Sequence, residues 1–71
     1  MARDKAKDDE LFDCSQEHEH NYVIGLYDDD YQDDVEKLLK DGCEDGTIKN
    51  YTHKKVYELI KKELDLPVPV S

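Results

Sequence analysis

The apolar residues of this chain fall into three spaced groups, and the last is the plainest. Val56, Leu59, Ile60 and Leu64 recur at three- and four-residue steps after Thr52, whose hydroxyl suits a helix N-cap. Lys61 and Lys62 lie where the closing turns of a helix favour cations. Pro67 and Pro69 forbid continuation much past Asp65. The pattern predicts a helix over residues 52–65. A second stripe, Tyr31, Val35, Leu38 and Leu39, follows an acidic run that suits a helix N-terminus, and Gly42 offers a left-handed C-cap. It predicts a helix over residues 30–41. The connector between the two holds an Asp45-Gly46 turn, with Ile48 and Tyr51 expected to plug the core from it.

The first group is ambiguous. Residues 21–27 (Asn-Tyr-Val-Ile-Gly-Leu-Tyr) are rich in strand formers, yet Tyr22, Val23, Leu26 and Tyr27 also fall on one helical face. Asp13 or Ser15 would cap such a helix, with Glu17 and Glu19 in its early turns. A strand here has no evident partner beyond a short piece near residues 47–49, and an isolated ribbon is marginal. The reading adopted is a helix over residues 15–27. The sum is a mainly α, three-helix domain spanning residues 11–66. A polar, disordered tail over residues 1–10 precedes it, and an extended arm over residues 67–71 follows. Leu66, Val68 and Val70 make that arm too apolar for a well-solvated tail, so it is expected to pack back over the helices. Exchange of the arm with a second copy is the alternative, giving a monomer or an arm-exchanged homodimer.

Size and charge narrow the function. A chain of 71 residues with 37% hydrophobic and 41% charged positions has room for one domain and a modest core. The net charge of −9 is unevenly spread. Residues 8–36 carry twelve acids and no Lys or Arg, whereas residues 47–64 carry five lysines against two glutamates. An acidic front of this kind steers basic partners and repels nucleic acid. Glu17, Glu19, Asp28, Asp29, Asp30, Asp33 and Asp34 are therefore the candidate partner-binding residues, with exposed tyrosines as anchors. At least three of the five tyrosines are expected in the core.

The stretch Cys14-Ser-Gln-Glu-His18-Glu-His20 raises the question of a metal. On a helix His18 and His20 point away from each other, and the zinc set Cys14, His18, Cys43 and His53 matches no tight ligand spacing. The stretch is read as a helix start, with no metal and no cofactor. Counting from Asp28 puts Asp33 and Leu39 where a calcium loop needs Gly and Glu, so an EF-hand is rejected. The polar opening residues resemble neither a secretory signal nor a membrane span. The expected location is the cytoplasm, with both cysteines reduced rather than bridged.

No phosphate loop, nucleophile elbow or spaced carboxylate pair suggests an enzyme. The function expected is a small acidic, non-enzymatic interaction module or regulator that binds a basic protein surface. A nucleic-acid mimic is an extreme form of that reading. One alternative is a domain stabilised by zinc on Cys14, His18, Cys43 and His53; the other is a nucleic-acid-binding helical domain using His53, Lys54 and Lys55 at the start of the last helix. The long connector, the single Arg3 and the negative charge all weigh against it.

Overall fold

The computed structural model describes residues 7–69. Three helices follow one another: α1 over Glu17–Ile24, α2 over Asp29–Glu44 and α3 over His53–Leu64. There is no strand among the described residues, only an isolated antiparallel bridge between Leu11 and Thr52. Residues 21–27 are thus helix and turn, as their spacing predicts and their strand propensity does not. The mainly α, three-helix reading holds.

The boundaries differ at both ends of α1. Asp13 and Ser15 were the expected caps, but Gln16 takes the N-cap position and no side chain caps the helix. Asp13 instead closes the preceding turn, accepting hydrogen bonds from the Ser15 hydroxyl at 2.6 Å and the Ser15 amide at 2.9 Å. Those two bonds, the hydroxyl's first, hold the Asp13 carboxyl below the ordinary carboxylate range. At the other end the Leu26 and Tyr27 amides reach back only three residues, to Val23 and Ile24, each at 3.1 Å. This tighter winding ends α1 at Ile24 and drops Leu26 and Tyr27 into the core.

Helix α2 runs longer than predicted because Gly42 is not its cap. Gly42 is buried inside the helix against Ile48, and a methyl group in place of its hydrogen would sit 3.2 Å from the Ile48 Cγ2. Glycine serves close approach here, and the left-handed turn falls to Gly46 with φ 83°. The Gly42 carbonyl accepts the Ile48 amide at 3.2 Å, which pins the connector to the helix it has just left. Tyr31 also departs from expectation. Val35 and Leu39 enter the core and Leu38 packs against it, but Tyr31 lies beyond its edge and stays 44% exposed.

Helix α3 matches its prediction. Thr52 caps it by accepting the Lys55 amide at 3.3 Å, and Asp65 ends it in a left-handed conformation before Pro67. Val56, Tyr57 and Ile60 are fully buried, each contributing about 1.5–3 kcal/mol relative to an exposed side chain. Of the five tyrosines, Tyr27 and Tyr57 are buried while Tyr22 and Tyr51 pack half-buried against the core. Ile48 fills the space between α2 and α3 as expected.

Two features outside the helices complete the domain. The expected tail lies outside the described residues as far as residue 6. From Lys7 onward the chain is bound to α3. The Asp8 carbonyl accepts the Lys54 amide at 3.1 Å and the Glu10 carbonyl accepts the His53 amide at 2.9 Å. These are the amides that a helix N-terminus leaves without an internal partner. At the far end Leu66 and Pro69 are buried and Val68 packs on the core, so the arm returns over the helices as far as it is described. Its last two positions, 70 and 71, lie outside the described residues.

The cysteines are bridged, against expectation. Cys14, just ahead of α1, is joined to Cys43 in the last turn of α2, with Cα atoms 5.7 Å apart and 29 residues of separation. The fold brings both ends of the α1–α2 hairpin to one place, and that proximity is what composition and spacing did not reveal. Closing a loop of that length stabilises by about 3–4 kcal/mol in the chain-entropy picture. Reduction with a strong thiol reductant is expected to lower the urea midpoint by a comparable free energy, read from denaturation curves of oxidised and reduced protein. Gly42→Val should cost about 1–3 kcal/mol by crowding Ile48, measured as a drop in the same midpoint without change of slope.

Candidate functional site

Two places gather chemistry-bearing side chains, and they differ in kind. The first is internal. His53 opens α3 and is fully buried. Its Nδ1 lies 2.8 Å from the Glu10 carbonyl, an acceptor only, so Nδ1 carries a proton and donates it. Its Nε2 lies 3.2 Å from Oε2 of Glu19 on α1, a bond that needs a second proton between the two atoms. The Lys7 ammonium stands 3.9 Å from the same carboxylate oxygen and 4.5 Å from the centre of the Tyr22 ring. Phe12 and Tyr22 meet the imidazole edge-on, at 5.7 and 6.3 Å between ring centres. This cluster joins the opening segment, α1 and α3. Its titratable groups face one another rather than a cleft.

The four residues of the zinc set are engaged elsewhere or lie apart. Cys14 and Cys43 are bound to each other, His53 has both ring nitrogens engaged, and His18 is exposed on α1. His20 turns to the Cys14 carbonyl, 3.0 Å from its Nε2. Among the described residues no group of three or more His, Cys, Asp or Glu side chains is arranged to hold a metal ion.

The second place is the surface around the start of α2. The seven acids singled out in the sequence do not share one surface. Glu19 is turned inward to His53 and Lys7. Glu17 lies on an open cavity of about 310 Å³ beside the disulfide, shared with His20, Glu36 and Lys40. Asp28, Asp29, Asp30, Asp33 and Asp34 remain exposed, and among the described residues no lysine forms an ion pair with any of them. Asp28 occupies the N-cap, and Asp29 and Asp30 the first turn, where a helix dipole favours negative charge. The five carboxylates are thus held in place by the helix that they begin.

Beside them is a groove that the sequence did not announce. Leu26, Tyr27, Asp28 and Tyr31 form one wall, and Leu66, Pro67, Val68 and Pro69 of the returning arm form the other, enclosing about 250 Å³. The apolar arm was its one visible signal. At the opposite end of the chain's charge gradient, Lys54 and Lys55 are exposed at the start of α3, with the Lys55 ammonium 5.8 Å from the Tyr51 ring centre. No helix among the described residues is long and apolar enough to cross a membrane.

No family model, no curated protein and no solved structure matches this chain. The internal cluster yields the sharper prediction. Glu19→Ala leaves the His53 Nε2 in a buried position without its partner, and is expected to destabilise the domain by about 1–3 kcal/mol, checked by urea denaturation at neutral pH.

Proposed function

We propose that this protein is a small acidic interaction module whose working surface is the N-terminal half of α2, and that its partner is a basic protein surface. The observation that carries the reading is the set of five exposed carboxylates, Asp28, Asp29, Asp30, Asp33 and Asp34, without lysine partners. Lys37, one turn further along the helix, stays outside ion-pair distance of Asp33 and Asp34. Concentrated unneutralised charge of one sign on a rigid element steers an oppositely charged partner and fixes its register.

The reading is non-catalytic, with no cofactor. His53 and Glu19, the acid–base pair that the fold assembles, are spent on holding α1 and the opening segment to α3. Nucleic acid does not suit the surface, since phosphates meet repulsion along α2. The Cys14–Cys43 bridge favours an oxidising compartment over the cytoplasm expected from the polar opening of the chain. In a reducing cytoplasm the domain would rely on its core alone.

The test is titration with a short lysine-rich peptide, followed by isothermal calorimetry at several salt concentrations. The triple variant Asp30→Asn, Asp33→Asn, Asp34→Asn changes exposed side chains only. It is expected to weaken binding about tenfold, from three exposed ion pairs worth about 0.2–1 kcal/mol each, and to flatten the salt dependence. Equal binding by variant and parent would place the basic partner elsewhere or remove it.

A further inference from the structure

The groove beside the acidic surface narrows the kind of partner, on the reading that α2 receives a basic one. Its lining is mostly apolar: Leu26, Tyr27 and Tyr31 face Leu66, Val68 and the rings of Pro67 and Pro69. At about 250 Å³ it falls just below the usual range for a small-molecule site and suits a single large side chain. Tyr31, at 44% exposure, stands at its edge as an aromatic contact not consumed by the core. Asp28 is part of the wall, Asp34 lies on the Tyr31 side of the helix, three residues on, and Asp30 lies one turn before Asp34.

We infer that this groove seats one apolar side chain of a basic peptide segment, whose flanking lysines or arginines lie over Asp28, Asp30 and Asp34. Charge complementarity selects the occupant: an acidic or neutral segment gains nothing from the rim, and two copies pairing symmetrically through this face would set these acids against each other. The prolines bear on the mode of docking. Pro67 and Pro69 have no amide hydrogens, so the edge of the arm on which they fall offers no donors to an added strand. Recognition is by side-chain insertion, as when an amphipathic segment places spaced anchors in a groove. The groove supplies a specificity that charge alone lacks, because it distinguishes basic segments by the apolar residue they carry.

The experiment uses two lysine-rich peptides that differ only in one central residue, Leu or Ala. Each is titrated into the full chain, and into the variant Tyr31→Ser, with amide-resolved NMR. The Leu peptide is expected to bind the parent protein about tenfold more tightly than the Ala peptide, from the extra apolar area it buries. It should also shift the amides of Leu26, Tyr27 and Val68. In Tyr31→Ser, whose dispersed spectrum reports an intact fold, the advantage of Leu should shrink to less than about threefold. Equal affinities for the two peptides, with shifts confined to the acids of α2, would overturn the groove while leaving the acidic surface standing. A Leu advantage that survives Tyr31→Ser in full would place the anchor elsewhere and overturn it too. Failure of both peptides to bind would remove the acidic surface and the groove together.

Discussion

A buried imidazole is the constraint around which this domain closes. His53 is fully enclosed, and each of its ring nitrogens reaches a different segment: the Glu10 carbonyl ahead of α1 and the Glu19 carboxylate on α1 itself. A buried polar ring costs free energy unless its hydrogen bonds are made, so the site holds together only when all three segments arrive. The backbone amides of His53 and Lys54 then donate to the carbonyls of Glu10 and Asp8, which together with the Thr52 cap completes the start of α3. One residue thus couples helix capping, tertiary docking and the ordering of the opening segment. It also explains why Glu19 is turned inward, although its charge suggests a place at the surface.

The second constraint is the small size of the core. A domain of this length buries little apolar area, and comparable domains often add a covalent link. Here the Cys14–Cys43 bridge closes the α1–α2 hairpin at its base, while Gly42 lets Ile48 approach α2 directly and fills the gap to α3. These two devices lie next to each other in sequence, at the last turn of α2. That turn had been expected to end at a glycine cap.

How much of this could be read from the chain depends on where each signal lives. Helix α3 was legible because its cap, its stripe and its terminating prolines are all local. The glycine at position 42 misled for the same reason: locally it resembles a helix stop, and only the distant Ile48 side chain gives it another use. Tyr31 continues a helical stripe in sequence, yet the stripe outruns the surface it packs on. His53 and the cysteine pair depend on contacts between residues more than twenty positions apart, for which spacing along the chain holds no information. The acidic run was visible as charge, but its division into an inward Glu19, a lateral Glu17 and an exposed start of α2 needed the helices to be placed. The apolar arm pointed toward the groove without locating its other wall.

The stitch between the opening segment and α3 bears on how the chain is made. Glu10 and His53 are separated by 43 positions, so the bonds of the Asp8 and Glu10 carbonyls to α3 cannot form until nearly the whole domain has left the ribosome. Contacts this distant are costly to form early, because the intervening loop must be closed before they give anything back. The hairpin of α1 and α2 can assemble as synthesis proceeds, but the Asp8 and Glu10 carbonyls must wait for α3. Docking of Asp8 and Glu10 is therefore a late step, and a nascent chain stalled before Thr52 keeps the contacts of Lys7 with Glu19 and Tyr22 of α1 but lacks the bonds to α3.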